Sequence, residues 1–168
     1  MQSIVSRSVD PLESAVISIC EFHAGNARNV IPQTAELKGT VRTLTKPVRE
    51  LVEKRVREVV AGVAQLTGAR IDLEYVRGYP VTVNHASQTD VATRVAREVA
   101  GEANVHDMPP LMGAEDFAYM LESRPGAFIF CGNGNSAGLH HPAYNFDDEA
   151  IVFGTSYWIK LVENTMAA

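Results

Sequence analysis

Apolar and polar positions alternate with two different periods along the chain. Residues 15–22 (AVISICEF) are β-branched and apolar, which predicts a strand. Residues 35–44 follow, with Ala35, Leu37, Gly39, Val41 and Thr43 on one face and Glu36, Lys38, Thr40 and Arg42 on the other. That alternation predicts an antiparallel strand with one covered and one exposed face. From Val48 the spacing becomes helical, with Leu51, Val52, Val56, Val59, Val60, Val63 and Leu66 on one side and Arg49, Glu50, Glu53, Lys54, Arg57 and Glu58 on the other. Thr45 is placed to cap this helix, Pro47 suits its first turn and Gly68 ends it. Ile71, Leu73 and Tyr75 alternate with Asp72 and Glu74, predicting a third strand that stops at Gly78-Tyr79-Pro80.

Before the first strand, residues 1–7 (MQSIVSR) read as the tail of a helix closed by Asp10-Pro11, a helix whose body is expected upstream. Helix tail, strand, strand, helix and strand lack only an opening strand and most of a helix to form a ferredoxin-like layer of two helices on four strands. A seam near residues 79–85 then separates this layer from a second region. There, residues 86–100 carry Val91, Ala92, Val95, Ala96 and Val99 at helical spacing. A Pro109-Pro110 loop, the stretch MGAEDFAYML, a short buried strand over 127–131 (AFIFC), the loop GNGNSAG, the segment LHHPAYNFDDEA and a last helix near 151–166 complete the chain. The expected architecture is α/β: residues 1–82 an incomplete α+β lid, residues 83–168 part of an α/β catalytic domain.

Composition narrows the partners. With 168 residues, 46% of them hydrophobic, the chain can bury a sizeable core. Its net charge of -5 and lack of a Lys/Arg stripe argue against nucleic acid or an anionic membrane surface. No apolar run approaches the roughly 20 residues needed to span a bilayer. Cys20 and Cys131, far apart and each in an apolar run, suit buried thiols in the cytoplasm better than a disulfide framework.

His140 and His141 follow a strand and a glycine-rich loop, a common place for ligands in open α/β sheets. Neighbouring side chains in extended chain point to opposite sides, so at most one of the two should face a given metal. Loop histidine and metal ligand are equally compatible with the spacing. Glu115-Asp116, after Gly113, read as an acidic first helical turn or as capping carboxylates. Asn29 either hydrogen-bonds a substrate or fixes the turn before Pro32. Arg42 is either a solvated strand charge or a clamp for a substrate carboxylate. His23, His85 and His106 have no matching partners, and neither HExxH, CxxC nor a nucleophile elbow occurs.

Four ordered segments, FHAGNARNVIPQTAELKGTVRT, GYPVTVN, PLMGAEDFAYMLESRPGAFIFCGNG and LHHPAYNFDDEAIVFGTSYW, resemble the C-terminal half of hippurate hydrolases and N-acyl-amino-acid amidohydrolases of the aminoacylase and carboxypeptidase-G type. The resemblance implies a hydrolase with two divalent ions (Zn, Mn or Co), an N-acyl amino acid substrate, a catalytic domain interrupted by a ferredoxin-like lid, and homodimerisation through that lid. In such enzymes the metals polarise the amide carbonyl and activate a bridging water. His140 matches the family's last metal ligand and His141 a variable position. Asn29 matches the lid asparagine that contacts substrate, Gly113 a loop lining the substrate carboxylate pocket, and Arg42 is a weaker match. The family's Cys-Gly-His-Asp motif, its Glu-Glu pair with the general base and a further histidine ligand do not occur here. The expectation is therefore a fragment, inactive alone, with no catalytic residue of its own. The alternative is a non-catalytic dimerisation or interaction module partnering a separately encoded catalytic half.

Overall fold

The computed structural model describes residues 1–166. They divide into two compact units, one of residues 1–81 with 110–115, the other of residues 82–109 with those from 116 onward. The first unit is built on a hairpin. Strand β1 (Ala15–Ala24) pairs antiparallel with β2 (Ala35–Thr43), from Ala15 opposite Thr43 to Ala24 opposite Ala35. The register slips between Ile19 and Glu21, so Cys20 is the extra residue of a β-bulge. Gly39 lies opposite the bulge, and a Cβ there would sit 2.3 Å from the Ser18 carbonyl oxygen.

Helix α1 (Gln2–Arg7) and helix α2 (Lys46–Thr67) cover the base of this hairpin. Ile4, Val9, Ile17, Val48, Val52 and Val56 form the buried cluster, with Val5, Ala15, Val41 and Tyr75 packed against it. Val48, Val52 and Val56 fall four residues apart on one face of α2, the stripe that the sequence predicts. Pro47 stands in its first turn and Gly68 closes it in the left-handed region at φ 70°. Thr45 occupies the N-cap position, but its hydroxyl donates to Glu13 at 3.4 Å and not to a helical N–H. Past the helix-covered base the apolar face of the hairpin is open, and the cross-strand pair Phe22 and Leu37 is exposed.

Three expectations need correction. Residues 71–76 belong to no ladder, because a strand is completed by a neighbour and the described residues form only the two-stranded sheet. Side chains anchor this stretch instead. Arg77 and Arg57 both bind Glu53 of α2, at 2.6 and 2.8 Å, the Arg57 guanidinium lies 5.6 Å from the Tyr75 ring centre, and Arg49 donates to the Gly78 carbonyl at 2.8 Å. Residues 127–131 likewise belong to no ladder, and Ile129 and Phe130 are exposed where a buried strand is expected, since no neighbour covers them among the described residues. Cys20 and Cys131 are exposed free thiols, not buried ones, since one sits in the bulge and the other ends the unladdered segment.

The second unit packs helix α3 (Ala86–Ala100) against helix α5 (Glu149–Thr165), with the short α4 (Phe117–Ser123) between them in sequence. Ala92, Val95, Ala118 and Leu121 are its buried residues. Helix α5 is apolar but buries no residue, and Trp158 is 65% exposed. Among the described residues, no helix is long and apolar enough to cross a membrane.

Candidate functional site

The segment leading to His140 is located by side chains that imitate a strand. Asn84 donates through Nδ2 to the Phe128 carbonyl and accepts the Phe128 N–H through Oδ1, both at 2.8 Å. Next to it the His85 N–H donates to the Gly126 carbonyl at 3.0 Å, and the Gly126 N–H donates back to His85 Nδ1 at 3.2 Å. His85 is therefore a structural residue. Phe128 stacks edge-on against Phe130 at 5.2 Å, with Phe117 at 5.7 Å on its other side. A hollow of about 350 Å³ opens beyond Cys131, walled by Tyr144, Phe146 and Trp158.

His140 stands at the third position of a β-turn closed by the His141 N–H donating to the Gly138 carbonyl at 3.2 Å. Its φ of 65° makes it the one non-glycine residue in the left-handed region among the described residues. Type II turns carry a positive φ at this position, where glycine or asparagine is usual. Backbone held against preference concentrates at functional positions. A second turn follows at once: Tyr144 donates its N–H to the His141 carbonyl at 2.9 Å, with Pro142 at the favoured second position. Inside that turn the Ala143 N–H donates to His141 Nδ1 at 3.0 Å. The two histidines thus differ in what their rings can do. His141 has one nitrogen occupied by its own turn, whereas the exposed His140 ring makes no hydrogen bond among the described residues.

The other candidates, Asp116 apart, lie in the first unit and do not converge. Asn29 is exposed in the loop joining β1 to β2, beside a shallow concavity lined by Gly25, Val30, Ile31 and Pro32, among others, and its amide makes no hydrogen bond among the described residues. Ile31 is 95% exposed at its rim. Arg42 sits opposite Val16 near the base of the same hairpin and donates to the Val41 carbonyl at 3.1 Å. Ala35 and Arg42 are seven residues apart on one strand, roughly 23 Å at about 3.3 Å per residue. Arg42 thus stands near the base of the hairpin, while Asn29 belongs to the loop at its other end. Gly113 is exposed with open space where a Cβ would project, so its size is not required by any described neighbour. Glu115 and Asp116 precede α4 and neither side chain caps it.

Among the described residues no group of three or more His, Cys, Asp or Glu side chains is placed to hold a metal ion. The donor set amounts to one ligand-competent imidazole and does not by itself fit a metal pair. What the sequence reading missed is the set of asparagine and serine clasps, at Asn84, Asn133 and Ser136, that shape the segment around it.

Comparison with known proteins places this arrangement in context. The chain is 40% identical over 162 residues to a hippurate hydrolase of Campylobacter jejuni, covering 96% of this chain and 42% of the relative. It is 38% identical over 158 residues to an N-acetyldiaminopimelate deacetylase of Streptococcus thermophilus, covering 93% and 41% respectively. Among solved structures it is similar to the Bacillus subtilis YxeP protein, a dinuclear metal binding peptidase from the M20 family, with a TM-score of 0.73 and 35% identity over 88% of this chain and 40% of that one. The chain thus spans about two fifths of the length of the relatives it matches. Peptidase family M20/M25/M40 matches residues 8–164, and the chain belongs to that family.

Proposed function

We propose that this chain is the C-terminal part of a metal-dependent amidohydrolase that cleaves the amide bond of N-acyl amino acids, and that it supplies one metal ligand, His140, to a site completed by residues outside it. The observation that carries the reading is the pair of turns at 138–144, which leave His140 exposed with an unengaged ring while engaging His141. Relatives named as a hippurate hydrolase, an N-acetyldiaminopimelate deacetylase and an N-acetylcysteine deacetylase support the substrate class, since each name describes release of an acyl group from an amino-acid nitrogen. Two divalent ions, Zn, Mn or Co, are the proposed cofactors, supported by the dinuclear relative.

Residues 1–82 serve as the lid in this reading and residues 83–168 as the end of the catalytic domain. The 71–76 segment follows β2 through α2, the connection of a split βαβ unit, in which a further strand lies between the two. That missing neighbour accounts for a β-patterned segment without a ladder. The bare apolar surface of α5 and the open 127–131 segment are the matching signs in the catalytic part. Asn29, Gly113 and Arg42 are proposed to meet substrate, with Asn29 and Arg42 acting from different copies of a lid-mediated homodimer, a division suited to their places at opposite ends of the hairpin. The free thiols suit the cytoplasm.

The test is an assay of the 168-residue chain on hippurate with added Zn, Mn or Co, alone and co-expressed with an upstream segment carrying the Cys-Gly-His-Asp and Glu-Glu motifs. Turnover is expected only in the second case and should be abolished by His140→Ala. Turnover by the chain alone, or full activity of the co-expressed His140→Ala protein, overturns the proposal.

A further inference from the structure

The loop that presents His140 is shut by side chains. Asn133 donates through Nδ2 to the Asn145 carbonyl and accepts the Asp147 N–H through Oδ1, both at 2.8 Å. Ser136 repeats the pattern one step further in: its hydroxyl donates to the Asn145 carbonyl at 3.0 Å and accepts the Asn145 N–H at 3.1 Å. The outgoing end is fixed in turn, because the Glu149 N–H donates to the Asp147 carboxylate at 3.0 Å where α5 begins. Gly134, at φ 68°, passes this point, and a Cβ on it would lie 3.1 Å from the second Asp147 carboxylate oxygen.

We infer that Asn133 and Ser136 are positioning residues for the His140 imidazole. A histidine at positive φ is a conformation that most L residues leave when the chain is free to do so, and it persists where surrounding bonds over-determine it. The turn at 138–141 has a single backbone bond of its own, so the constraint comes from its two stems. Both stems meet in the Asn133 and Ser136 bonds to Asn145 and Asp147. Each of these side chains is used as donor and acceptor together, which the amide and the hydroxyl can do and a carboxylate or a methyl cannot. The result is a backbone at His140 set before any ligand arrives, the condition under which a site binds without first ordering its own loop.

This inference rests on the reading of His140 as the functional histidine of the pair, and its test uses neither metal nor turnover. The ¹³Cα and ¹³Cβ shifts and the ¹⁵N relaxation of His140 are measured in the 168-residue chain and in the variants Asn133→Ala, Ser136→Ala and Ser136→Thr. Expected are loss of the left-handed shift signature and of backbone order at His140 in both alanine variants, retention in Ser136→Thr, and unchanged amide protection in α3 and α5. A wild-type His140 signature in both alanine variants overturns the inference. So does a Ser136→Thr variant as disturbed as Ser136→Ala, or a loss of helix protection that accompanies the loop change. Should Asn133→Ala not fold, the Ser136 pair decides alone. A metal-independent activity would remove the proposed role of His140 and leave this conformational result standing, so the two failures are distinguishable.

Discussion

The side chain of Asn84 pairs with the backbone of Phe128 as a strand residue would, N–H to Oδ1 and carbonyl to Nδ2 at 2.8 Å each, across 44 residues of sequence. With no strand beside residues 127–131 among the described residues, this bidentate contact and the neighbouring His85 pair are their local ladder. Asn84→Ala is expected to lower the stability of the second unit by about 1–2 kcal/mol, the net worth of two partly solvated hydrogen bonds. Asn84→Asp should cost at least as much at neutral pH, because it sets a carboxylate oxygen against the Phe128 carbonyl. Part of that loss should return below about pH 4, where the acid regains a donor. Urea melts of the three proteins at two pH values decide this, and an aspartate variant as stable as wild type at pH 7 contradicts it.

Gly39 is required by contact, not by backbone angle. It lies opposite the Cys20 bulge, and an added Cβ would stand 2.3 Å from the Ser18 carbonyl oxygen, a distance that forces the hairpin apart. Gly39→Ala is expected to destabilise the first unit by about 1–3 kcal/mol, in the range of overpacked sites. The neighbouring exposed substitution Thr40→Ala should shift the denaturation midpoint far less. Equal midpoints for the two variants would remove the bulge as a packing constraint.

Glu53 fastens the 75–78 segment to α2, and its carboxyl is held below the usual carboxylate range, first by its hydrogen bond from Arg57 and then by that from Arg77. A depressed folded-state value means that the charged form is favoured on folding. The stabilisation is therefore fully present above about pH 4.5, the ordinary value for the group, and is lost as the pH falls through the lower folded value. Melting curves of wild type and Glu53→Gln should differ at pH 7 and converge towards pH 3. A constant difference over that span would mean that packing, not charge, accounts for the contact.

What could be read from the chain followed the range over which each signal acts. Helix α2 was legible because its valine stripe, Pro47 and Gly68 all lie within its own span. The hairpin was legible for the same reason, but not its bulge: the apolar phase of Ala15, Ile17 and Ile19 resumes at Phe22, a shift that becomes visible as an irregularity only against the pairing with β2. Residues 71–76 and 127–131 have strand composition because composition reports the environment a segment suits, whereas a ladder requires a partner. Around His140 the limit was sharper. Nothing in Leu139-His140-His141-Pro142 tells which ring is engaged, since that depends on a positive φ that histidine adopts more readily than most residues but only within particular turns. Asn133 and Ser136 read as loop filler because their partners lie 9 to 14 residues away.

The two cysteines offer a direct probe of which surfaces another part of the protein would cover. Both thiols are exposed in this chain, so a disulfide reagent should titrate two per molecule without denaturant. Their surroundings differ. Cys20 occupies a bulge, where an unpaired residue breaks the ladder and discourages a further strand from docking. Cys131 ends a segment whose Ile129 and Phe130 are uncovered, Phe130 by 57%, and borders the hollow beside Trp158. If, as proposed, a segment outside this chain completes the protein and residues 127–131 join its sheet, co-expression with that segment should slow the reaction of Cys131 by orders of magnitude, with Cys20 changed far less. Comparing Cys20→Ser and Cys131→Ser proteins assigns each rate. A Cys131 that stays as reactive in the assembled protein as in the isolated chain would mean that no strand is added there, and that the apolar 127–131 segment meets its partner by some other face.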